Sequence, residues 1–258
     1  MPAIARELSY MNWPHSGALL GASFAVMAVL LLAISPVGWL AGWWHYSFAF
    51  RLMAASAVAA SAAAIVSLLT LVMGWSELNV HDVMIAGVAL ALGVALAYVP
   101  WQYNRTLGAV PRIHDITTDT DNPPPFAAVL PARAAEQAAT VVYEGPQLAR
   151  LQKTAYPDVV PLQVRSTAAE AFERALETAT AMPGWTIVAS EPSAGRIEAS
   201  QRSRWFRFTD DIVIRVSAEG SGSRIDMRST SRQGRSDFGV NAARIRSYMT
   251  ALKQRIGG

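Results

Sequence analysis

The sequence predicts a three-helix transmembrane region followed by an α+β domain, an antiparallel sheet with helices on one face. Three observations predict it: formal charge almost vanishes over residues 1–104, the arginines crowd into the remainder, and that remainder alternates between period-two and helical hydrophobic patterns. The chain has 258 residues, 52% of them hydrophobic, which is too apolar for an ordinary soluble protein of this length.

No Asp, Glu, Lys or Arg occurs at residues 16–50, 52–76 or 83–104. A bilayer core needs about 20 apolar residues per helix, so spans are expected near residues 17–36, 50–73 and 83–100. Amphipathic aromatics flank them: Trp39, Trp43, Trp44 and Tyr46 after the first, Trp75 after the second, and Tyr98, Trp101 and Tyr103 after the third. The first apolar stretch is longer than a signal-peptide core of roughly 7–15 residues, and it is expected to be retained. Gly17 with Gly21, and Ala57 with Ser61, form small-residue pairs that let helices approach closely.

The chain has no cysteine, which excludes disulfides, thiolate metal sites, a cysteine nucleophile and an acylated lipoprotein cysteine. The net charge of +3 divides unevenly. Residues 1–104 hold Arg6 and Arg51 against Glu7, Glu77 and Asp82, leaving 20 basic and 16 acidic side chains beyond them. That balance is far from a nucleic-acid footprint. Arg51, Arg105 and Arg112 flank the spans on the side of the large domain and Arg6 on the other, which read literally favours a cytoplasmic domain. Long domains translocate largely regardless of charge, so Arg6 against Arg51 is a near tie.

Residues 105–126 read as a Pro-rich linker, with Pro123, Pro124 and Pro125 favouring an extended connection to a water-facing domain at residues 127–258. A short strand is expected at residues 159–162. Thr167 and Glu170 form a capping box ahead of Phe172, Ala175, Leu176 and Ala179, predicting a helix over 167–181 that stops at Pro183-Gly184. Residues 185–190 and 196–202 read as strands around a turn. Ile212, Ile214 and Val216 alternate with polar neighbours, as do Ile225 and Met227. A hairpin closing through Glu219-Gly220-Ser221-Gly222 pairs Val216 with Ile225 and Ile214 with Met227 on the buried face, and sets Arg215 opposite Asp226 on the other. Ile245, Tyr248, Met249, Leu252 and Ile256 mark a closing amphipathic helix over 238–256.

Several segments in sequence order carry a family resemblance. They are Pro111-Arg112-Ile113-His114-Asp115-Ile116-Thr117-Thr118-Asp119-Thr120-Asp121-Asn122-Pro123-Pro124-Pro125-Phe126, Ala155-Tyr156-Pro157-Asp158, Ile197-Glu198-Ala199 and Phe208-Thr209-Asp210-Asp211-Ile212-Val213-Ile214-Arg215, with the run at residues 231–245. Over residues 110–256 the chain resembles domain-of-unknown-function family 1499 (DUF1499), here as a membrane-anchored member. The resemblance brings no activity, cofactor or catalytic residue. It implies an extracytoplasmic habit, which tips the orientation towards a periplasmic domain on a multi-pass protein of the bacterial inner membrane, the cytoplasmic side staying open.

Three groups of side chains stand out chemically. His114, Asp115, Asp119 and Asp121 crowd into eight residues and combine imidazole with carboxylates, a hard or borderline metal set, but the segment lacks the glycine turn and distal Glu of a calcium loop. Asp210 and Asp211 are adjacent, yet neighbours in a strand point to opposite faces. Residues 231–239 form a Gly- and Ser-rich loop entering a helix, where amide groups attract anions. Arg228, Ser231, Arg232, Gly234, Ser236, Asp237, Asn241 and Arg244 make up that anion or partner site, with Arg235 nearby. The bland alternative is that Ser236 or Asp237 caps the helix while Asn241 and Arg244 tie loop to sheet. Arg202, Arg204 and Arg207 interleave with Trp205, Phe206 and Phe208, suiting an anionic lipid interface, a partner contact or a solvated edge.

No catalytic constellation emerges and no cofactor is expected. The leading reading is a non-enzymatic integral membrane protein that serves as an accessory, assembly or interaction subunit of a membrane complex. The alternatives are a binding module for an anionic small molecule or lipid headgroup and, behind it, a metal-dependent hydrolase built on His114. The bilayer and a membrane protein partner are the expected contacts, with no nucleic acid.

Overall fold

The computed structural model describes residues 13–107 and 110–257. Arg6, which entered the count of flanking charge, and Glu7 lie outside them. The chain divides into two compact units, residues 1–105 and 106–258.

The first unit is three helices: α1 (Trp13–Leu40), α2 (Tyr46–Met73) and α3 (Val80–Leu107). Each is long and apolar enough to cross a membrane, α3 over Val80–Gln102. α1 and α3 therefore extend past both expected ends, and α2 starts earlier than expected but ends at Met73, where expected. Their side chains are arranged inside out relative to a water-soluble bundle. Ala18, Ala25, Ala28, Ala60, Ala63 and Ala86 are buried, while Leu30, Val58, Ile65, Leu68, Val72 and Met84 face outward. In water that arrangement would forgo the main driving force for folding, whereas in lipid, where association depends on close packing, it is the favourable one.

Small residues allow that packing. A Cβ on Gly17 would sit 2.4 Å from Thr70 Oγ1, and one on Gly21 would sit 2.3 Å from Ser67 Oγ. The Gly17–Gly21 pair thus closes the α1–α2 contact within the chain. At Ala57 and Ser61 the hydroxyl of Ser61, which is exposed, donates to its own helix at Ala57 O. Two hydroxyls cross between helices, Ser56 Oγ to Ala28 O and Ser35 Oγ to Ala49 O, each at 2.7 Å. Asp82, 1% exposed, is held by His15 Nδ1 at 2.7 Å and by Asn79 Nδ2 at 2.8 Å, tying the start of α1 to the start of α3.

The second unit contains β1 (Asp115–Thr117), α4 (Leu130–Ala135), α5 (Pro146–Ala155), β2 (Leu162–Val164), α6 (Ala168–Ala181), β3 (Trp185–Glu191), β4 (Arg196–Arg202), β5 (Thr209–Glu219), β6 (Gly222–Ser231) and α7 (Val240–Gly257). The six strands form one sheet in the order β1-β6-β5-β4-β3, with β2 also paired to β6, and every pairing is antiparallel.

Local chemistry sets several elements. Thr167 and Glu170 complete the reciprocal capping box of α6. Gly220, at φ 56°, provides the left-handed residue of a two-residue hairpin. The β5–β6 register pairs Val216 with Ile225, Ile214 with Met227 and Arg215 with Asp226, as the alternation predicts. Edge strand β1 is protected by a side chain: Gln152 Nε2 donates to Thr117 O at 2.6 Å, and Thr117 N donates to Gln152 Oε1 at 3.0 Å. One amide thus takes the place of a missing strand.

One sheet face packs Ile197, Ile212, Ile214, Ile225 and Met227 against Phe172 and Ala175 of α6 and Ile245, Tyr248 and Leu252 of α7. Trp185 stacks on Tyr248 at 5.4 Å, and Tyr248 donates to Ala175 O. The other face, which the sequence leaves to solvent, is also covered. Phe126, Val129 and Val141 pack on Val213, and β1 lies within the stretch read as a linker. Residues 113–126 are therefore part of the domain, because their strand pairing and buried contacts outweigh the extended character of the proline run. The first short strand appears two to three residues later than expected, at β2.

At Gly93 helices α2 and α3 approach closely, and a Cβ there would lie 2.7 Å from both Ala60 O and Ala64 N. Gly93→Val is expected to lower the melting temperature of the full chain in mild detergent, at a cost of about 1–3 kcal/mol. Gly87→Ala, with open space around it, leaves that temperature unchanged or slightly raised.

Candidate functional site

The covered face of the sheet is where the domain's charged side chains converge. Alternation along β4, β5 and β6 sends Glu198, Asp211, Arg215, Asp226, Arg228 and Arg232 to this face, and residues 115–143 cross it. Asp211, fully buried, is the centre. Arg133 Nη1 reaches its Oδ2 at 2.8 Å, Arg232 makes a two-pronged contact at 2.8 Å on both prongs, and Ser200 Oγ donates at 2.7 Å. Arg232 also binds Glu136 at 2.6 Å. Arg133 donates onward to Ala139 O at 2.8 Å and Ser231 O at 3.3 Å.

Arg228 is arranged similarly. Its Nε and Nη2 grip the Asp115 carboxylate at 2.9 and 2.6 Å, and it donates to Val141 O at 2.7 Å. The rings of Phe126 and Tyr143 lie 5.1 and 5.6 Å from its guanidinium carbon. Burial, reinforced by the charge of Asp115, pushes the Tyr143 phenol up to about 12. Glu198, 0% exposed, accepts from the backbone N–H groups of Ala127, Ala128 and Val129 at 2.8–3.0 Å, holding the entry to α4. At the far edge Asp119 binds Arg215 and Arg224, each at 3.0 Å, and both arginines share Asp226.

Burial works against ionisation of Asp211, but hydrogen bonds from Arg232, Ser200 and Arg133 overcome it and hold its carboxyl below the ordinary Asp value. Asp237 goes the other way. Burial raises it, although the backbone N–H groups of Gly239 and Asn241 donate to it at 2.9 and 2.8 Å.

The residues singled out in the sequence fall into place against this network. Of the metal set, Asp115 is taken by Arg228, Asp119 by two arginines and its own turn, and Asp121 is exposed beside Lys153. His114 contributes its carbonyl to Ser231 N and Asn241 Nδ2, and its Nδ1 is buried without a hydrogen bond. Among the described residues no three such side chains are grouped to hold a metal ion, so the crowding in sequence does not become a cluster in space.

The anion site needs a correction. Arg228, Arg232 and Arg244 do not line a common space. The first two are buried on the covered face, while Arg244 sits on the helical face with Asp210 at 2.6 Å and Gln201 at 2.7 Å. Asn241 bridges Ser229, Ser231 and His114 O and receives Arg244, so it fastens the loop to the sheet. Asp237 caps the start of α7, and Ser236 Oγ accepts weakly from Phe238 N at 3.4 Å. Gly234, at φ 87°, forms the turn. Asp210 and Asp211 engage opposite faces, as neighbours in a strand must.

Beside this loop opens a cleft of about 390 Å³ lined by Arg112, His114, Asp115, Thr140, Glu144 and Arg235, among others. Among the described residues neither Arg112 nor Arg235 has a carboxylate partner. Sequence reading missed Arg133, Glu136, Asp211 and Arg232 as a unit, because Arg133 lies 78 residues from Asp211 and Glu136 lies 96 from Arg232, and no spacing links them.

Fold and site together define a sheet domain, cross-braced by buried arginine–carboxylate pairs, that follows three apolar helices. The sequence model of the family described as "Protein of unknown function (DUF1499)" matches residues 115–252, and the chain belongs to that family. No curated protein matches the chain. Among solved structures, TTHA0849 from Thermus thermophilus is similar at 12% identity over 38% of this chain and 94% of that one, with a TM-score of 0.24.

Removing one partner of a buried ion pair leaves the other charge uncompensated, at about 3–5 kcal/mol. Asp211→Asn strands Arg133, and denaturant unfolding of the full chain in mild detergent is expected to show a loss of that order. A depressed carboxyl contributes stability above its unfolded value, near pH 4, and that contribution is lost as pH falls through the folded one. The wild-type chain therefore loses sheet stability on acidification below about pH 4, and Asp211→Asn, which has already lost this contribution, shows a flatter acid limb.

Proposed function

We propose that the chain is a multi-pass integral membrane protein whose sheet domain acts by binding, as an accessory, assembly or interaction subunit of a membrane complex. The observation that carries this reading is that the domain's buried ionisable groups are committed to one another. Asp211, Asp115, Glu198 and Asp226 each engage arginine or backbone donors, which leaves none of these carboxylates positioned to meet a substrate as a free acid or base. The outward Leu, Val and Ile side chains of α1, α2 and α3 support membrane insertion. The extracytoplasmic habit of similar domains supports a periplasmic domain on the bacterial inner membrane.

The tagged full chain, extracted from its native membrane in mild detergent, is expected to carry a second protein at constant stoichiometry through successive columns. A chain that runs alone after gentle extraction overturns the subunit reading.

A second reading rests on the cleft: Arg112 and Arg235 make it a site for a carboxylate or phosphate, with a volume in the range of small-molecule sites. Inorganic phosphate is then expected to raise the melting temperature of the full chain, and the double substitution of Arg112→Gln and Arg235→Gln to abolish the rise. An unchanged rise in that variant removes the cleft as the site.

A further inference from the structure

The β4–β5 connection is a built feature that the sheet does not require. Ser203 N donates to Phe208 O at 2.8 Å, Arg207 N to Ser203 O at 3.1 Å, and Phe208 N to Ser203 Oγ at 2.9 Å. Arg207 adopts φ 52° to close the turn, and the rings of Phe206 and Phe208 stack at 5.2 Å. At the tip Trp205 is 74% exposed. Arg202, Arg204 and Arg207 lie within three positions of it in sequence, all exposed, and no carboxylate among the described residues lies within ion-pair distance of any of them.

This composition sets the loop apart from the buried network of the domain, where Arg133, Arg228, Arg232 and Arg244 are matched with acids. An exposed indole in a loop with three guanidiniums that have no acidic partner is complementary to a surface that is negative outside and apolar beneath, which describes an anionic bilayer. Strand register adds a second argument. Asp115 pairs with Thr230, Thr230 with Asp211 and Asp211 with Ser200, so the loop leaves the sheet at the same end at which the chain enters β1.

We infer that the loop of residues 203–208 docks on the surface of a bilayer containing anionic lipid, with Trp205 at headgroup depth and Arg202, Arg204 and Arg207 against lipid phosphates. This rests on the reading that α1, α2 and α3 span a membrane.

The test uses the full chain carrying fluorotryptophan, in lipid nanodiscs that contain a nitroxide-labelled lipid, with the Trp205 fluorine signal assigned by Trp205→Phe. In discs containing phosphatidylglycerol the Trp205 signal is expected to be lost to broadening. It is expected to return in discs of zwitterionic lipid alone, at high salt, and in the triple variant Arg202→Gln, Arg204→Gln, Arg207→Gln. A Trp205 signal that stays sharp in anionic discs overturns the inference, as does broadening that the triple variant and zwitterionic discs leave intact. The signals of Trp43 and Trp75 report separately on the helices. If they too stay sharp, the spanning reading itself fails, and if they broaden while that of Trp205 does not, the docking alone fails. Trp185, stacked on Tyr248 in the core, is expected to stay sharp throughout.

Discussion

The second unit depends on charge neutralisation in a place where charge is expensive. Asp211 lies fully buried beneath a stretch of chain with little regular structure, and it is tolerated there because two guanidiniums and a hydroxyl replace the water it lost. The same pairs fasten that chain. Arg133 anchors α4, Arg228 anchors β1 and the proline run, and Glu198 anchors the segment leading into α4. A covering held by apolar contact alone would have only Phe126, Val129 and Val141 to place it, and three side chains cannot specify a single path across a sheet. The directional, two-pronged geometry of arginine can.

Much of the architecture was readable before any coordinates, for reasons that differ by element. The helices of the first unit announce themselves by length and lack of charge. The capping box of α6 and the β5–β6 register are local, so Thr167 with Glu170 and Arg215 with Asp226 could be matched within a few residues. The covered face was not readable. Asp115 and Arg228 are separated by more than a hundred positions, and a face bearing Glu198, Asp211, Asp226, Arg228 and Arg232 has the alternation of a solvated surface. For the same reason Arg228 and Arg232 looked available to a ligand when they are internal braces, whereas Arg235, named beside them, does line the cleft.

The two units bury opposite things. The first hides Ala, Gly, Ser and Thr and displays its large apolar side chains, and the second hides its Ile, Tyr and Leu residues together with paired charges. Each is the solution its solvent favours, since close backbone approach binds helices in lipid and apolar burial binds a sheet domain in water. Family membership over residues 115–252 thus describes the water-adapted half.

Strand β6 pairs along one side with β5 and along the other with β1 and β2 in series. It is therefore the partner on which the earliest residues of the domain wait. As the chain emerges from synthesis, residues 113–143 have no sheet to lie on until Arg228 and Arg232 follow them out, so the helices have left the ribosome well before the domain can close. Assembly is limited by these long sequence separations rather than by local structure, and for about a hundred residues of elongation the proline-rich segment is exposed as an unpaired edge. The all-antiparallel sheet is stable once complete, but its completion depends on the last third of the chain.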